Sequence, residues 1–379
     1  MVARAQLVCA LAAALVSPAA PLLRPQDSES RSALRLDGIW AVKVDAADRG
    51  RAERWWAAPL AAPVLEAPVP STLNEVLAAD PAANWTDGYF GAVWLQTEFY
   101  LPREWAARRV ALRFDAVSVN AQVWVNGAPD PVAQHGMCCL PFESAALGQQ
   151  LRAGRNRLTV RVDGERSWQS MPPGKQGRNR WGQPLLFGGD AGYLYSMIGI
   201  DQSVWLVATP PEAAIQDVTV VTDLEGTSLS TGLVRFNVSL AALASGSDAT
   251  VTVQLQDGGT EAAKHSQALS NCACRDGSCA CSGTLRVPDA KVWWPIGHGS
   301  HRHPFLYTLV ARVERSPFWL PQAGEASDDL LDIYRLPVGI RTLEVKGAQF
   351  LVNGEPHYFR GTDCHQVRIW QLALRSEHR

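Results

Sequence analysis

The stretch RVALRFDAVSVNAQVWVNG, residues 109–127, decides the fold class by its period. Ala121, Val123 and Val125 fall on one face, and Gln122 and Trp124 on the other. Side chains along a strand alternate between two faces, so a period of two predicts a half-buried β-strand and excludes a helix. Asn126-Gly127 follows at once, and both central residues of a tight type I′ hairpin turn need a positive φ that Asn and Gly tolerate best. Further along, NRLTVRVDG (156–164) alternates in the same way, with Leu158, Val160 and Val162 directed inward and Arg157, Thr159 and Arg161 outward. SVWLVATP (203–210) is another such run, ended by Pro210 and Pro211. Short strands at regular spacing, divided by Gly, Pro and Asn turns, predict a jelly-roll β-sandwich over residues 34–210.

A second β series begins after the proline pair: IQDVTVVTD (215–223), LVRFNVSLAAL (233–243), ATVTVQLQD (249–257), GTLRVP (283–288) and PFLYTLVARVER (304–315). Its size and strand count predict an immunoglobulin-like sandwich over 211–338. Residues 339–379 are too few to bury a core alone. The class is therefore all-β.

Composition narrows the partners. Hydrophobic residues make up 47% of the chain and charged residues 19%, the balance of a globular protein. The formal net charge of -2 leaves no basic footprint for nucleic acid and no polybasic patch for a membrane surface. Fourteen Trp serve either as core filling or as platforms for sugars. At the N-terminus Arg4, the apolar run 5–16 and the small residues Ser17, Ala19 and Ala20 predict a signal peptide over 1–20 and entry into the secretory pathway. No later stretch is long enough to span a bilayer. Asn84-Trp-Thr86 and Asn237-Val-Ser239 are glycosylation sequons, Asn84 in a loop and Asn237 in a strand-like run.

Cys272, Cys274, Cys279 and Cys281 lie in CACRDGSCAC, a pattern open to a tetrathiolate zinc site or to two disulfides. A secreted chain favours disulfides, here in an insertion at a sheet edge, outside the core. Cys138, Cys139 and Cys364 carry no pairing signal. His298, His301 and His303 crowd the loop GHGSHRH (297–303), but Gly and Ser separate them and no carboxylate or thiol is interleaved. They are read as a solvated loop, with no metal site, and Trp293 and Trp294 as covering the end of the second sandwich. The Gly-rich stretch 174–193, bracketed by Trp168 and Trp181, is read as a long loop of the first domain, with a sugar-facing surface as the alternative. No carboxylate pair, Ser-His-Asp set or Cys-His set emerges, so no catalytic residue is nominated and no cofactor is expected.

The motifs LDGIW (36–40), PVPSTLNEV (68–76), GAVWLQTEFYLP (91–102), VWVNG (123–127), LPFE (140–143), SVWLVATP (203–210), VWWP (292–295) and LPVGIRTLEVKGAQFLVNGEPHYFRG (336–361) occur in the order that resembles glycoside hydrolase family 2. Within that family the resemblance is strongest to the branch that hydrolyses terminal β-D-glucuronosides. Galactoside- or mannoside-cleaving branches, or a non-catalytic carbohydrate- or partner-binding module, are the alternatives. The resemblance implies a galactose-binding-like jelly roll, an immunoglobulin-like domain and then a (β/α)8 barrel in which two glutamates act with retention of configuration. It also implies a carbohydrate partner, a possible homo-oligomer, and a lysosomal or extracellular location. A barrel takes about 250 residues, and eighteen follow Gly361. Residues 339–379 are thus expected to be the truncated start of that barrel, and the chain to be inactive as it stands. Ile340, Leu343, Phe350 and Tyr358 would then be left exposed. His365, followed by Gln366, matches a residue that lines the family's active site and is the expected substrate-binding residue. Tyr193 stands where related glucuronide-cleaving members carry a substrate-facing Asp.

Overall fold

The structure is a computed structural model that describes residues 23–361 except 79, 81–88, 90, 138–139, 145–146, 166–176, 179–183, 186–197, 227–229, 242–248, 276, 299–301 and 316–328. The described residues are almost entirely β, in two sandwiches and a short C-terminal sheet.

The first sandwich contains β1 (Ser32–Arg35), β2 (Gly38–Asp45), β3 (Leu65–Val69), β4 (Ser71–Thr72), β5 (Ala92–Leu101), β6 (Arg109–Phe114), β7 (Val117–Ser118), β8 (Asn120–Val125), β9 (Ala133–His135), β10 (Phe142–Glu143) and β11 (Gly154–Asp163). After a two-stranded pair, β12 (Gly177–Arg178) and β13 (Pro184–Leu185), it is completed by β14 (Gly199–Ile200) and β15 (Val204–Thr209). A six-stranded antiparallel sheet in the order β3-β2-β5-β11-β8-β9 lies over a four-stranded sheet, β1-β15-β6-β10, and β4-β14-β7 form a small third sheet. This is the jelly roll that the alternation predicts. Val123, Val125, Leu158, Val160 and Val162 point inward and meet Leu112, Phe114 and Leu206 in one apolar core. The predicted turn is also present, with Asn126 at φ 53° and Gly127 at φ 73°.

One expectation fails. Trp124 on β8 and Thr159 and Arg161 on β11 point outward yet are not solvated, because the connection from β2 to β3 folds back over that part of the face. Trp56 stacks on Trp124 (4.9 Å between ring centroids) and on Trp94 (6.0 Å), and all three are buried with Thr159 and Arg161. Gln96 ties this layer together by donating to Thr159 Oγ1 (2.9 Å) and Ala58 O (3.1 Å) while accepting from Leu60 N (3.0 Å). Asp45 accepts from Trp94 Nε1 and from the amides of Arg49 and Gly50, at 2.8–2.9 Å. A Cβ at Gly50 would collide with Nε1 and Cε2 of the Trp94 ring, so this crossing requires glycine.

The second sandwich pairs β16 (Ala214–Glu225), β17 (Thr231–Ala241), β18 (Ala249–Asp257), β19 (Thr260–Ala268), β20 (Ala273–Arg275), β21 (Ser278–Pro288), β22 (Tyr307–Arg315) and β23 (Leu330–Val338) into two four-stranded sheets, β16-β17-β21-β20 and β19-β18-β22-β23. Val234, Val238, Leu240, Val253, Leu255, Leu309 and Val313 fill the space between them. The structure pairs Cys272 with Cys281 and Cys274 with Cys279. Cys274 lies on edge strand β20 and Cys272 just before it, but Cys279 and Cys281 lie on β21 and belong to the buried core, which corrects the reading of a pure edge insertion. The physical reason is register: both lie on the inward face of β21, in line with Leu285 and Val287.

Residues 23–31, ahead of the first strand, bridge the two sandwiches. Arg31 forms a buried ion pair with Asp332 (2.5 Å), which also accepts from Ser30 Oγ (2.7 Å) and Ile215 N (2.7 Å). Arg108 donates to Ser30 O and to Ser32 Oγ, tying the same segment to the first sandwich. At the other end, β24 (Leu343–Lys346), β25 (Gln349–Val352) and β26 (Glu355–Pro356) form a three-stranded sheet. Leu343 and Tyr358 are exposed on it as expected, with Val345 and Phe359 beside them. Ile340 is fully buried instead, because it packs on Gly232 and Ala290 of the second sandwich, and Phe350 is half-buried.

Candidate functional site at the C-terminal hairpin

The sequence VNGEPHYFRG builds the place where the described chain ends. Asn353 (φ 52°) and Gly354 (φ 78°) make a two-residue turn that sets Val352 opposite Glu355. Asn353 is buried, and its side chain anchors the hairpin: Oδ1 accepts from Thr342 N (2.8 Å) and Nδ2 donates to Trp293 O (2.9 Å). Trp293 N in turn donates to Ile340 O (2.9 Å), and Gly339 lets the Trp293 ring approach the backbone closely. The turn aims Glu355 and His357 at the loop after Trp294.

His298 of that loop is not solvated, unlike the exposed His303. Arg302 grips both Glu355 oxygens, with Nη2 2.7 Å from Oε1. His298 Nε2 lies 3.3 Å from Glu355 Oε2, and its Nδ1 lies 3.3 Å from His357 Nδ1. Trp294 stacks on the His298 ring (4.8 Å), and the Arg302 guanidinium sits 4.1 Å from the Trp294 ring centroid. The Arg302 guanidinium holds the Glu355 carboxyl below its ordinary range, and the His298 hydrogen bond adds to this. Among the described residues no group of three or more His, Cys, Asp and Glu is arranged to hold a metal. Chemically, the arrangement is a polar joint that fixes the direction in which the chain leaves at Gly361. The carboxylate missing from GHGSHRH comes from Glu355, more than fifty residues further on, so no local spacing could reveal it.

The other nominated residues divide simply. His365 and Gln366, Asn84, Tyr193, Trp168, Trp181, His301, Cys138, Cys139 and Cys364 lie outside the described residues. Asn237 is half-buried on β17, where its Nδ2 is 3.4 Å from Ser239 Oγ and its Oδ1 accepts from Ser282 Oγ (2.8 Å). His303 is exposed and meets Phe305 edge to face. Sequence reasoning missed Arg31, Asp332, Arg302 and Glu355. The Asn-Gly turn next to Glu355 was the one available signal.

Comparison with known proteins bears on this order of modules. Residues 34–210 match the family description "Glycosyl hydrolases family 2, sugar binding domain", and residues 213–318 match "Glycosyl hydrolases family 2". The chain belongs to glycosyl hydrolase family 2. It is 31% identical to mouse β-glucuronidase over 382 residues, covering 96% of this chain and 52% of that protein. It is 33% identical to the β-glucuronidase of Paenibacillus borealis, covering 91% of this chain and 51% of the relative. The solved β-glucuronidase of Ruminococcus gnavus in complex with D-glucuronic acid superposes with a TM-score of 0.69 at 27% identity, over 89% of this chain and 51% of that one. This family 2 chain thus spans about half the length of the curated relatives it matches.

Proposed function

We propose that this chain supplies the non-catalytic scaffold of a β-glucuronidase-type hydrolase acting on terminal β-D-glucuronosides. The observation that carries the reading is similarity to β-glucuronidases along nearly the whole chain, 91–96% of it, rather than in one motif. In this reading residues 34–210 are the sugar-binding jelly roll, 211–338 the immunoglobulin-like sandwich, and 339–379 the entry to the catalytic barrel. The joint of Arg302, Glu355, His298 and Asn353 orients that entry, and His365 faces the sugar. Retaining glycosidases need two carboxyl groups about 5 Å apart on either side of the scissile bond. No such pair is nominated within residues 1–379, so these residues alone do not turn over substrate. Asn84 and Asn237 are glycan acceptors, the chain passes through the secretory pathway to a lysosomal or extracellular location, and the assembled enzyme is a homo-oligomer.

The test has two arms. The purified 379-residue chain is assayed with chromogenic aryl β-D-glucuronide, β-D-galactoside and β-D-mannoside, and no release is expected; turnover of any of them overturns the scaffold reading. A chimera joining residues 1–361 to the remaining half of mouse β-glucuronidase is then assayed on the same panel. Preference for the glucuronide is expected, and a folded chimera that prefers the galactoside or mannoside overturns the specificity.

A further inference from the structure

We propose that the outer face of the six-stranded sheet carries a binding cleft for a saccharide that bears a carboxylate. The proposal rests on the cleft alone and holds whether or not the hydrolase reading does. A cleft of about 400 Å³ opens where β8 and β9 meet the turn that carries Arg51. That is the size of a small-molecule site.

Strand register explains what lines it. Lys43, Trp94, Arg161, Gln122 and Gln134 stand abreast across β2, β5, β11, β8 and β9. The first two belong to the tryptophan-covered half of the face, and the last three form the cleft floor. Asp163 and Asn120, also opposite each other, supply the next row.

The chemistry of the lining selects the ligand. Gln122 Nε2 donates to Gln134 Oε1 (3.4 Å) and Asn120 Nδ2 to Glu165 O (2.7 Å), which leaves Gln134 Nε2 as a donor and Asn120 Oδ1 as an acceptor for vicinal hydroxyl groups. The charge of Arg161 is already neutralised by Asp48 (2.7 Å) and Asp163 (2.9 Å). Arg51 differs: Nη2 meets the neutral Gln122 Oε1 at 2.5 Å, and it has no carboxylate partner among the described residues. An oxygen-rich anion complements such a surface, its carboxylate on Arg51 and its hydroxyls on the amides.

Titration of the full chain followed by amide NMR, with methyl β-D-glucuronide as probe, tests this. Methyl β-D-glucoside and acetate are the separate arms. The glucuronide is expected to bind about tenfold tighter than the glucoside, shifting resonances of β8, β9 and β11. Arg51→Met should erase that preference while leaving glucoside binding in place. Gln134→Leu should weaken both sugars. Both positions are exposed, so the fold should tolerate either change. Gly136 lies on the rim, where a Cβ would come 3.2 Å from Asn120 Oδ1, and Gly136→Val should close the cleft to every probe. Three results would overturn the proposal: no shifts with the glucuronide, shifts indifferent to Arg51→Met and Gln134→Leu, or acetate binding as well as the glucuronide, which would leave a plain anion site.

Discussion

Both ends of the described chain are fastened to the second sandwich, and the fastenings differ in kind. At the N-terminal end Arg31 and Asp332 pair with side chains only 7% and 0% exposed. Five donors converge on that carboxylate: Arg31 Nε and Nη2, Ser30 Oγ, Ile215 N and Ile333 N. At the C-terminal end Arg302 and Glu355 are 37% and 43% exposed, and the neutral side chain of Asn353 holds the hairpin backbone. A buried charge without its partner is heavily penalised, whereas an exposed pair gains little over hydration. The first fastening is therefore a structural commitment between the two sandwiches. The second is a directional guide whose charged part is dispensable.

The largest break in this comparison should come from Asp332→Ala. It strands the Arg31 guanidinium and leaves Ile215 N and Ser30 Oγ without their acceptor in a dry site. A loss of about 3–5 kcal/mol is expected, read as an earlier urea midpoint for both sandwiches. A cost under about 1 kcal/mol would mean that the pair is no tie at all. Asn353→Ala ranks second. Alanine must hold a positive φ and forfeits two buried hydrogen bonds, so a local loss of about 2–3 kcal/mol is expected. Hydrogen exchange should quicken at Leu351 and Val352 while the core amides of β17 and β18 stay protected. Equal acceleration in both places would show that the hairpin and the second sandwich open as one unit.

The same contrast explains what the sequence disclosed. Period-two runs such as residues 121–125 and 158–162 are local, and a strand with one core face can satisfy them in only one register, so the β class and the apolar core were legible. The turn at Asn126-Gly127 was legible for the same reason, since two adjacent residues carry the conformational signal. What could not be read depends on residues far apart. Trp124 and Arg161 look outward by alternation, and only the return of residues 49–60 over the sheet buries them. Arg31 and Asp332 are separated by three hundred positions, and nothing in either neighbourhood announces a buried charge. His298 was misjudged because the carboxylate it meets is on another strand. The cleft on the outer face was hidden in the same way, because its floor is a row across three strands and not a motif along one.

The smallest effects belong to the exposed carboxylates, and pH separates them from the buried tie. Glu29, which flanks the N-terminal fastening, is held down to about 2 by its hydrogen bond to Arg335, against an ordinary value of 4.5. Glu355 is lowered in the same direction by Arg302. A carboxyl whose pKa falls on folding contributes stability that is complete above its unfolded value and disappears as the pH drops through its folded value. Between pH 7 and pH 5 neither pair should change the unfolding midpoint, and the Glu29 contribution should fade progressively as the pH falls from 4.5 to about 2. Glu355→Gln keeps the shape of the joint and removes its charge. It should lower the midpoint slightly in dilute buffer and not at all in molar salt, where exposed pairs are screened, whereas the cost of Asp332→Ala should persist in both. If Glu355→Gln proved as costly as Asp332→Ala, or equally costly at both salt levels, the joint would have to be a second structural commitment and not a guide.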